Sequence, residues 1–433
     1  MSNQPEKTDR PAKTIGISHD ARSNFGAKGW WIVFYSFISF YLYGAATNSL
    51  LNTVIPMQAA QFGWDPAAML AISTPAGLIA LAVCLFFGAV VVKLGVAKTE
   101  TIVLILAGLS VIWWGTANTF MGYAVSLVVM VCLMNTMQLV GGNMIITNWF
   151  PRKKGIAIGW ATMGLNVSSG TIVLIIVALV GLLGGIRNAL IAFGCCFFVL
   201  AIITHFFVKD YPEQVGAYPD NDPTAVRKDG VKLNTGWTRS LVLKQKETWT
   251  MGIANGFYGM ITIGFVSQFI PTVIQRGFTP PQAIGMMTAA SLLGVIGSYT
   301  CGYLDQKFGA HKSAIFYGVW VVVGIIMYLI PSAIALYIFV FMMGFSLGGS
   351  NNYPPSMTAQ IFGREGSVIA FPIIFTITGV FRSLCYVVLA ISVATTGAYF
   401  AGYIAFAVCA VIAIIMFATM DLSPKADPAD IEN

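Results

Sequence analysis

The chain has 433 residues, of which 57% are hydrophobic and 9% are charged, and its formal net charge is +7. Soluble globular proteins carry about 25% charged residues, so this composition excludes a soluble globular protein and indicates one that crosses a membrane many times. The basic excess does not call for a nucleic-acid partner, because the distribution of Lys and Arg along the predicted membrane topology explains it.

Apolar runs of about 18 or more residues, each long enough to cross a bilayer as a helix, recur along nearly the whole chain. They predict an all-α membrane protein with twelve transmembrane helices, numbered here spans 1 to 12, at 30–57, 67–92, 99–119, 122–147, 156–181, 186–208, 248–274, 282–304, 313–331, 333–360, 367–395 and 398–420. The predicted units are an N-terminal tail (1–29), a six-helix bundle (30–208), a central loop (209–247), a second six-helix bundle (248–420) and a C-terminal tail (421–433). The end of the central loop, 235–249, mixes apolar and basic residues and predicts a helix along the membrane surface.

Basic residues determine the predicted orientation. With twelve spans, both termini share one side with the loops that follow even-numbered spans, and all but three of the 24 Lys and Arg residues lie there. The exceptions are Arg187 and Arg276 on the other side and Arg382 within span 11. The positive-inside rule therefore places both termini in the cytoplasm, and we expect a multi-pass plasma-membrane protein, or an inner-membrane protein in a bacterium. The polar first 28 residues contain no signal-peptide core, so no cleavage is expected.

The two halves of the chain repeat short elements at matching positions. After spans 2 and 8, the segments 88–95 and 302–309 begin and end with glycine, carry lysine at the sixth position and lie 214 residues apart. After spans 4 and 10, the segments 150–155 and 362–366 share Phe and Arg at an offset of 212, and both end in Gly. This duplication predicts two pseudo-symmetric bundles with a substrate site between them near the midplane. Glycine turns that carry charges suit a gate, and the gating candidates are Gly88, Lys93, Gly95, Gly302, Asp305, Lys307 and Gly309.

With the long central loop, these elements resemble the major facilitator superfamily over essentially the whole chain. The sequences WFPRKKGIAIGWA at 149–161, LDQKFG at 304–309 and YPE at 211–213 resemble its monocarboxylate transporter and oxalate:formate antiporter branch. Members of that branch commonly hold the substrate carboxylate with a basic residue in span 11, and often with a second one in span 8. Residues 283–304 contain no Lys or Arg, so the resemblance implies a monoanion rather than a two-pronged dicarboxylate. The superfamily's usual Asp in the first glycine-flanked loop is also absent, with Val92 in its place.

Arg382 matches the span 11 position and is the main candidate for substrate contact. It lies near the centre of the apolar stretch 367–397, which contains no carboxylate. A guanidinium at the bilayer centre costs about 2.5–3.5 kcal/mol on insertion scales, and it stays charged. We therefore expect Arg382 to face an interior cavity and to bind an anionic substrate. The alternative is a structural cation satisfied by carbonyls and by Asn or Tyr side chains, in a transporter of neutral or amphipathic compounds.

Neutral polar side chains inside the spans are the other candidates for the cavity. They are Tyr41, Asn48 and Asn52 in span 1, Asn135 and Gln138 in span 4, Asn166 in span 5, Asn255, Tyr258, Thr262 and Gln268 in span 7, Asn351 and Asn352 in span 10, and Tyr386 in span 11. Each could instead make a hydrogen bond between helices, the usual role of a buried polar group in a bilayer. In span 10, two glycines and two prolines within 348–355 predict a kink that borders the cavity.

The hypothesis about transport depends on which charged groups the spans lack. Every Asp and Glu lies in a tail, a loop or a span end, so no buried carboxylate is expected to carry a proton. The leading hypothesis is a secondary transporter of a small organic anion, by anion exchange or by symport with a proton that travels with the substrate. Because metal-spaced clusters and nucleophile–base pairs are missing, neither an enzyme nor a cofactor is predicted; a transporter-like sensor is the other class considered. The expected partners are the substrate, protons and the lipid bilayer, and the default oligomeric state is a monomer.

Overall fold

The computed structural model describes residues 22–223 and 235–428; the rest of both predicted tails and part of the central loop lie outside these ranges. The regular structure of the described residues is helical, and they contain no strand. Ten helices in this part of the chain are long and apolar enough to cross a membrane. The segment that begins at Gly26 and the shorter apolar helix Ala333–Leu347 complete the twelve predicted spans, so the predicted fold is confirmed.

The N-terminal bundle contains spans 1 to 6, and two of these include a π-helical segment. Span 1 consists of Gly26–Gly44, the π-helix Ala45–Ser49 and Leu50–Phe62. Span 4 consists of Phe120–Met137, the π-helix Gln138–Met144 and Ile145–Trp149. The remaining spans are Pro66–Ala71 with Ser73–Leu94 (span 2), Val96–Thr116 (span 3), Lys154–Leu183 (span 5) and Ile186–Phe207 (span 6).

The C-terminal bundle contains spans 7 to 12 and follows a short helix, Arg239–Lys244, within the predicted surface segment. Four of its spans are single helices: Lys246–Ile274 (span 7), Pro280–Phe308 (span 8), Ala310–Leu329 (span 9) and Phe400–Ala418 (span 12). Span 10 consists of Ala333–Leu347 and the start of Tyr353–Ser383. The rest of that helix, beyond the non-helical Gly363, forms span 11 together with Cys385–Thr396.

Matching glycine turns end spans 2 and 8. Gly95 has a φ of +89° and Gly309 a φ of +85°, values that residues with a side chain rarely adopt. The N–H of Gly95 donates to the Val91 carbonyl, and that of Gly309 donates to the Asp305 carbonyl, both at 2.8 Å. The next helix begins directly after each glycine. The duplicated sequence element therefore folds into the same turn twice.

Both described ends of the chain lie on one side of the bundles, called here the terminus side. Near the N-terminus, the Lys153 Nζ donates to the Asn24 carbonyl at 3.2 Å, in the loop that follows span 4. Near the C-terminus, the Lys425 N–H donates to the Ile361 carbonyl at 2.9 Å, at the end of span 10. The even number of spans is consistent with this placement.

The two bundles meet along two pseudo-equivalent helix pairs, span 5 with span 8 and span 2 with span 11. In the first pair, a Cβ atom added to Gly302 would lie 2.7 Å from the Gly159 Cα atom. In the second pair, a Cβ atom added to Gly88 would lie 2.8 Å from the Pro372 Cγ atom. Gly88 and Gly302 are the first residues of the repeated elements, so the duplicated glycines allow close approach between the bundles.

The interface between the bundles is closed on the terminus side and parts towards the opposite side. The Gln306 Nε2 donates to the Arg152 carbonyl at 2.9 Å at the terminus-side end of spans 5 and 8. Near the middle of the same pair, the Asn166 Nδ2 donates to the Gly294 carbonyl at 3.1 Å. Farther along span 5, a Cβ atom added to Gly170 would meet nothing within 4 Å. Close packing on this face of span 5 therefore ends before Gly170.

Candidate functional site

A small cavity lies between the two bundles. Its volume is about 30 Å³, which is room for roughly two water molecules. Spans 4, 7, 10 and 11 line it with Gln138, Asn143, Asn255, Gly259, Ser350, Asn351, Pro354, Pro355, Phe371, Phe375, Thr378 and Arg382. These described residues include one cation and no acid, and their other polar side chains are neutral amides and hydroxyls.

Arg382 reaches the cavity from the last turn of the helix Tyr353–Ser383. Its aliphatic stem packs on Gly259 of span 7, where an added Cβ atom would lie 2.8 Å from the Arg382 Cδ atom. No carboxylate in the described part of the chain forms an ion pair with its guanidinium. Arg382 is half-buried, and the negative end of the helix dipole offsets only about 0.3–1 kcal/mol of the cost of withdrawing this cation from water. The protein therefore leaves most of the charge to be balanced by another group.

The predicted kink in span 10 is confirmed and borders the cavity. The first helix ends at Leu347, and the next begins at Tyr353, with Pro354 and Pro355 in its first turn. The N–H groups in the first turn of a helix have no partner within the helix, so proline, which lacks an N–H, costs no hydrogen bond there. Two prolines are therefore tolerated in this first turn. The intervening turn brings Asn351 to the cavity wall.

Three amide side chains from spans 4 and 7 line the cavity, and their oxygens lack partners among the described residues. The Asn143 Nδ2 donates to the Gln138 carbonyl at 2.8 Å, and the Asn255 Nδ2 donates to the Met251 carbonyl at 2.9 Å. The side-chain oxygens of Gln138, Asn143 and Asn255 have no hydrogen-bond donor in this part of the structure. Sequence reasoning missed Asn143, because it lies five residues after Gln138 and only the wider π-helical turn brings the two onto one face.

Most other predicted cavity residues of spans 1, 4 and 7 make hydrogen bonds within their own bundle. In the N-terminal bundle, the Tyr41 hydroxyl forms a hydrogen bond with the Thr171 hydroxyl at 2.8 Å, and the Asn135 Nδ2 donates to the Val131 carbonyl at 2.9 Å. In the C-terminal bundle, the Tyr258 hydroxyl donates to the Ala314 carbonyl at 2.8 Å, and the Thr262 hydroxyl donates to the Tyr258 carbonyl at 2.9 Å. The Gln268 Oε1 accepts from the Tyr399 hydroxyl at 2.9 Å. None of these side chains lines the described cavity. The side chains of Asn48 and Asn52 lie outside what the structure describes.

Two further candidates bind across the bundle interface, and one faces outward. The Asn352 Oδ1 accepts from the Thr162 hydroxyl at 2.8 Å, and its Nδ2 donates to the Ser298 carbonyl at 2.9 Å. The Asn166 Nδ2 also donates to the Ser298 hydroxyl at 3.0 Å. Tyr386 is 47% exposed and does not line the cavity. Asn166 and Asn352 therefore connect the closed halves, while Gln138, Asn255, Asn351 and Arg382 are the predicted residues that the cavity brings together.

Among the gating candidates, Asp305 lies at the closed contact between spans 5 and 8. Its side chain is 4% exposed, and a Cβ atom added to Gly155 would lie 2.6 Å from its Oδ2. Lys154, next to Gly155, is the cation whose charge acts on Asp305. Lys93 and Lys307 are exposed. Asp305, Gly88 and Gly302 thus lie in the interface, whereas Gly95 and Gly309 form the turns that follow and the two lysines are exposed.

The central loop connects both bundles on the terminus side. Asp220 accepts the backbone N–H of Lys153 at 2.8 Å and that of Arg152 at 3.0 Å. Burial raises the pKa of Asp220 above its ordinary value, and these two donors oppose the shift. Glu213 forms a two-pronged ion pair with Arg364 of the C-terminal bundle, at 2.9 and 3.2 Å. The loop therefore contributes contacts that hold the terminus side closed.

The expectation that no carboxylate is buried in the spans is wrong. Glu100 is 0% exposed, Glu247 is 2% exposed and Asp305 is 4% exposed. All three lie near helix ends, as the sequence indicated, but neighbouring helices and loops cover them. Glu247 pairs with Lys425 at 2.9 Å, whereas no described cation pairs with Glu100.

Comparison with known proteins adds evidence on the fold. A family model described as Major Facilitator Superfamily matches residues 37–380. No curated protein matches the chain by sequence. The structure is similar to that of the transporter FucP in the outward conformation, with 14% sequence identity and a TM-score of 0.68 over 89% of this chain and 97% of that chain. It is similar to the human organic anion transporter MFSD10 (TETRAN), with 13% identity and a TM-score of 0.67 over 89% of this chain and 98% of that chain. It is also similar to the proton:xylose symporter XylE, with 10% identity and a TM-score of 0.69 over 93% of this chain and 98% of that chain.

Proposed function

Because the chain belongs to the Major Facilitator Superfamily, a family of transporters, we propose that it is a secondary transporter of a small organic anion, in the first place a monocarboxylate. Transport would proceed by alternating access, and the cavity between the bundles would hold the substrate. The observation that carries the proposal is the Arg382 guanidinium, which lines this cavity without a described carboxylate to pair with it.

The charge balance of the cavity supports an anion over a neutral compound. The Arg382 side chain is half-buried, and an ion withdrawn from water without a counterion pays a desolvation penalty. A carboxylate can accept two parallel N–H bonds from a guanidinium, which is among the strongest polar pairings in proteins. The neighbouring amide oxygens of Gln138, Asn143 and Asn255 can accept from a hydroxyl group or a water molecule. A small carboxylate that carries a hydroxyl or brings a water therefore satisfies both halves of the site.

The size of the cavity supports alternating access. About 30 Å³ holds roughly two waters, so a carboxylate enters only when the bundles separate further. The terminus side is closed by the span 5–span 8 and span 2–span 11 contacts, while the opposite half of span 5 is open at Gly170. With both termini in the cytoplasm of a plasma-membrane or bacterial inner-membrane protein, as the basic residues predict, this conformation faces outward.

The proposal is tested by uptake of labelled lactate, pyruvate, formate and acetate into proteoliposomes containing Arg382→Gln. Truncating one partner of a buried charge pair costs about 2–5 kcal/mol, so apparent affinity should fall between roughly 30-fold and several thousand-fold. Arg382→Lys keeps the charge but loses the planar fork, and should transport at an intermediate level. Arg187→Gln, which removes an exposed arginine outside the cavity, is the matched control. Wild-type uptake of carboxylates by a folded Arg382→Gln protein would overturn the proposal.

The same vesicles separate exchange from symport. Uptake accelerated by internal carboxylate and indifferent to a pH gradient indicates anion exchange. Accumulation driven by an inward proton gradient without internal carboxylate indicates symport. If the wild-type protein takes up none of these anions, Arg382 is structural and neutral or amphipathic compounds become the substrates to test.

A further inference from the structure

Glu100 is enclosed in the N-terminal bundle, one turn into span 3. Its side chain is 0% exposed, and neither carboxyl oxygen has a hydrogen-bond partner by distance and angle among the described side chains. Its polar neighbour is the backbone of Gly141 in span 4, which opposes the effect of burial without supplying a charge. An ionised carboxylate in such a place would pay a desolvation penalty of several kcal/mol without a compensating cation.

The groups that face Glu100 from the surrounding elements do not supply that cation. Span 1 contributes the Tyr35 hydroxyl, which is occupied by the Thr204 hydroxyl of span 6 at 2.8 Å. Spans 2 and 4 present no described titratable side chain to the carboxyl, and Lys98 on span 3 itself is exposed. At the start of span 3, Asp210 accepts the Ala97 N–H at 2.6 Å and adds a second acid near that end. The surroundings of Glu100 therefore favour the neutral carboxyl.

The bundle makes space for this carboxyl at one position. A Cβ atom added to Gly141 would overlap the Glu100 Oε1 atom, so only glycine fits there without a shift. Gly141 lies in the π-helix Gln138–Met144, and π-helical segments often mark functional sites. The Ser36 hydroxyl donates to the Gly141 carbonyl at 3.2 Å and fixes the segment from the side of span 1. Gly141 and the π-helical turn thus leave a space that fits the Glu100 carboxyl, called here the Glu100 seat, although this side chain is costly to bury.

The same π-helical segment reaches the cavity. Gln138 and Asn143 are its first and sixth residues, and both line the cavity that contains Arg382. Gly141 lies between them and touches Glu100. A change in the charge of Glu100 would act on the Gly141 backbone, and any movement of that backbone would shift the two amides. Glu100 and the anion site are therefore connected through seven residues of one helix.

We propose that Glu100 is a proton-binding site of the transport cycle. Its carboxylate accepts one proton to become the neutral acid that its enclosed position favours in this conformation, and it returns that proton to water in another conformation. As a coupling step, this rests on the proposed transport of an organic anion: one proton moving with one monocarboxylate carries no net charge. The cycle would then be an electroneutral proton symport.

Glu100→Gln tests the coupling, because the amide keeps the shape of the side chain and cannot release a proton. In proteoliposomes the variant should lose accumulation of carboxylate driven by an inward proton gradient, and should lose the internal acidification that accompanies uptake. Exchange of internal for external carboxylate should persist. Glu247→Gln, which neutralises a buried acid already paired with Lys425, should retain both activities. Proton-driven accumulation by Glu100→Gln at the wild-type level would overturn the proposal.

A measurement without substrate distinguishes failure of this inference from failure of the proposed transport. The infrared spectrum of the purified protein at neutral pH should contain the carbonyl band of a protonated, buried carboxylic acid, which Glu100→Gln removes and Glu247→Gln leaves. Glu100→Asp keeps a carboxylic acid at this position and should shift the band rather than remove it. This variant replaces Glu100→Gln in the experiment if the amide variant does not fold. If the band is present while no carboxylate is transported, the proton site stands and the anion substrate is wrong. If Glu100→Gln removes no such band, Glu100 is ionised and the proton site is wrong.

Discussion

Gly302→Ala should shift the protein out of the closed conformation described above. The new Cβ atom would lie 2.6 Å from the Gly155 carbonyl oxygen and 2.7 Å from the Gly159 Cα atom, both of them backbone atoms of span 5. The first distance is about 0.8 Å shorter than an ordinary contact of 3.4 Å, and backbone atoms cannot rotate away from it. Spans 5 and 8 must therefore move apart on the terminus side.

The size of this shift follows from the usual cost of overpacking. Extra methyl groups in a close-packed interface cost about 1–3 kcal/mol. If the open state is free of the clash, the equilibrium between the two conformations moves by roughly 5-fold to 150-fold towards it. Gly285→Ala, farther along the same helix, is the matched control, because a Cβ atom there would meet nothing within 4 Å.

The assay is the labelling rate of a reporter cysteine, Ser298→Cys, in a background without the seven native cysteines. Ser298 is 0% exposed within the closed contact between spans 5 and 8. A water-soluble maleimide should modify the reporter faster in Gly302→Ala than in Gly285→Ala. Equal rates in a folded Gly302→Ala protein would refute the view that these duplicated glycines determine the closure of the interface.

Two further substitutions test the seat of Glu100 and the connection made by the central loop. Gly141→Ala would place a Cβ atom against the Glu100 carboxyl. We expect the protein to lose about 1–3 kcal/mol of stability, which thermal-shift measurements would detect. An unchanged stability would show that the space around the Glu100 carboxyl is not tightly packed. Arg364→Gln removes the two-pronged pair with Glu213, whose side chains are each 18% exposed. We expect a loss of about 1 kcal/mol and faster labelling of the same reporter, whereas Lys312→Gln, at an exposed lysine outside the gating candidates, should leave the rate unchanged.

The sequence predicts those features of this fold that depend on local composition. Twelve apolar runs produce twelve spans, because a bilayer leaves the backbone few alternatives to a helix. The repeated glycine elements form matching turns at Gly95 and Gly309, because a positive φ favours glycine in both copies. The break before Pro354 and Pro355 follows for the same local reason, since proline lacks the N–H that continues a helix.

The cavity could be predicted only in part, because it depends on how each helix is rotated in its bundle. Asn255 and Tyr258 lie three residues apart and are neighbours on a helix surface, yet one lines the cavity and the other bonds to the Ala314 carbonyl inside the bundle. Asn143 was missed because its approach to Gln138 depends on a π-helical turn that apolar periodicity does not reveal. Side-chain spacing gives a face, but only packing decides which face meets the partner bundle.

The charges of the two bundles together are the reason to propose that transport couples an anion to a proton. The C-terminal bundle holds a guanidinium, Arg382, without a described acid, and the N-terminal bundle holds a carboxyl, Glu100, without a described cation. The two groups lie on different bundles, and they form no ion pair in the closed conformation. On the proposals made above, each takes a neutralising partner from outside the protein, an anion for Arg382 and a proton for Glu100. If a conformational change requires that the two groups and their ligands together carry no net charge, as the cost of buried charge implies, the transporter crosses with both ligands or with neither. Anion exchange by Glu100→Gln would follow directly, because that variant is permanently neutral at one of the two positions and still requires an anion at the other.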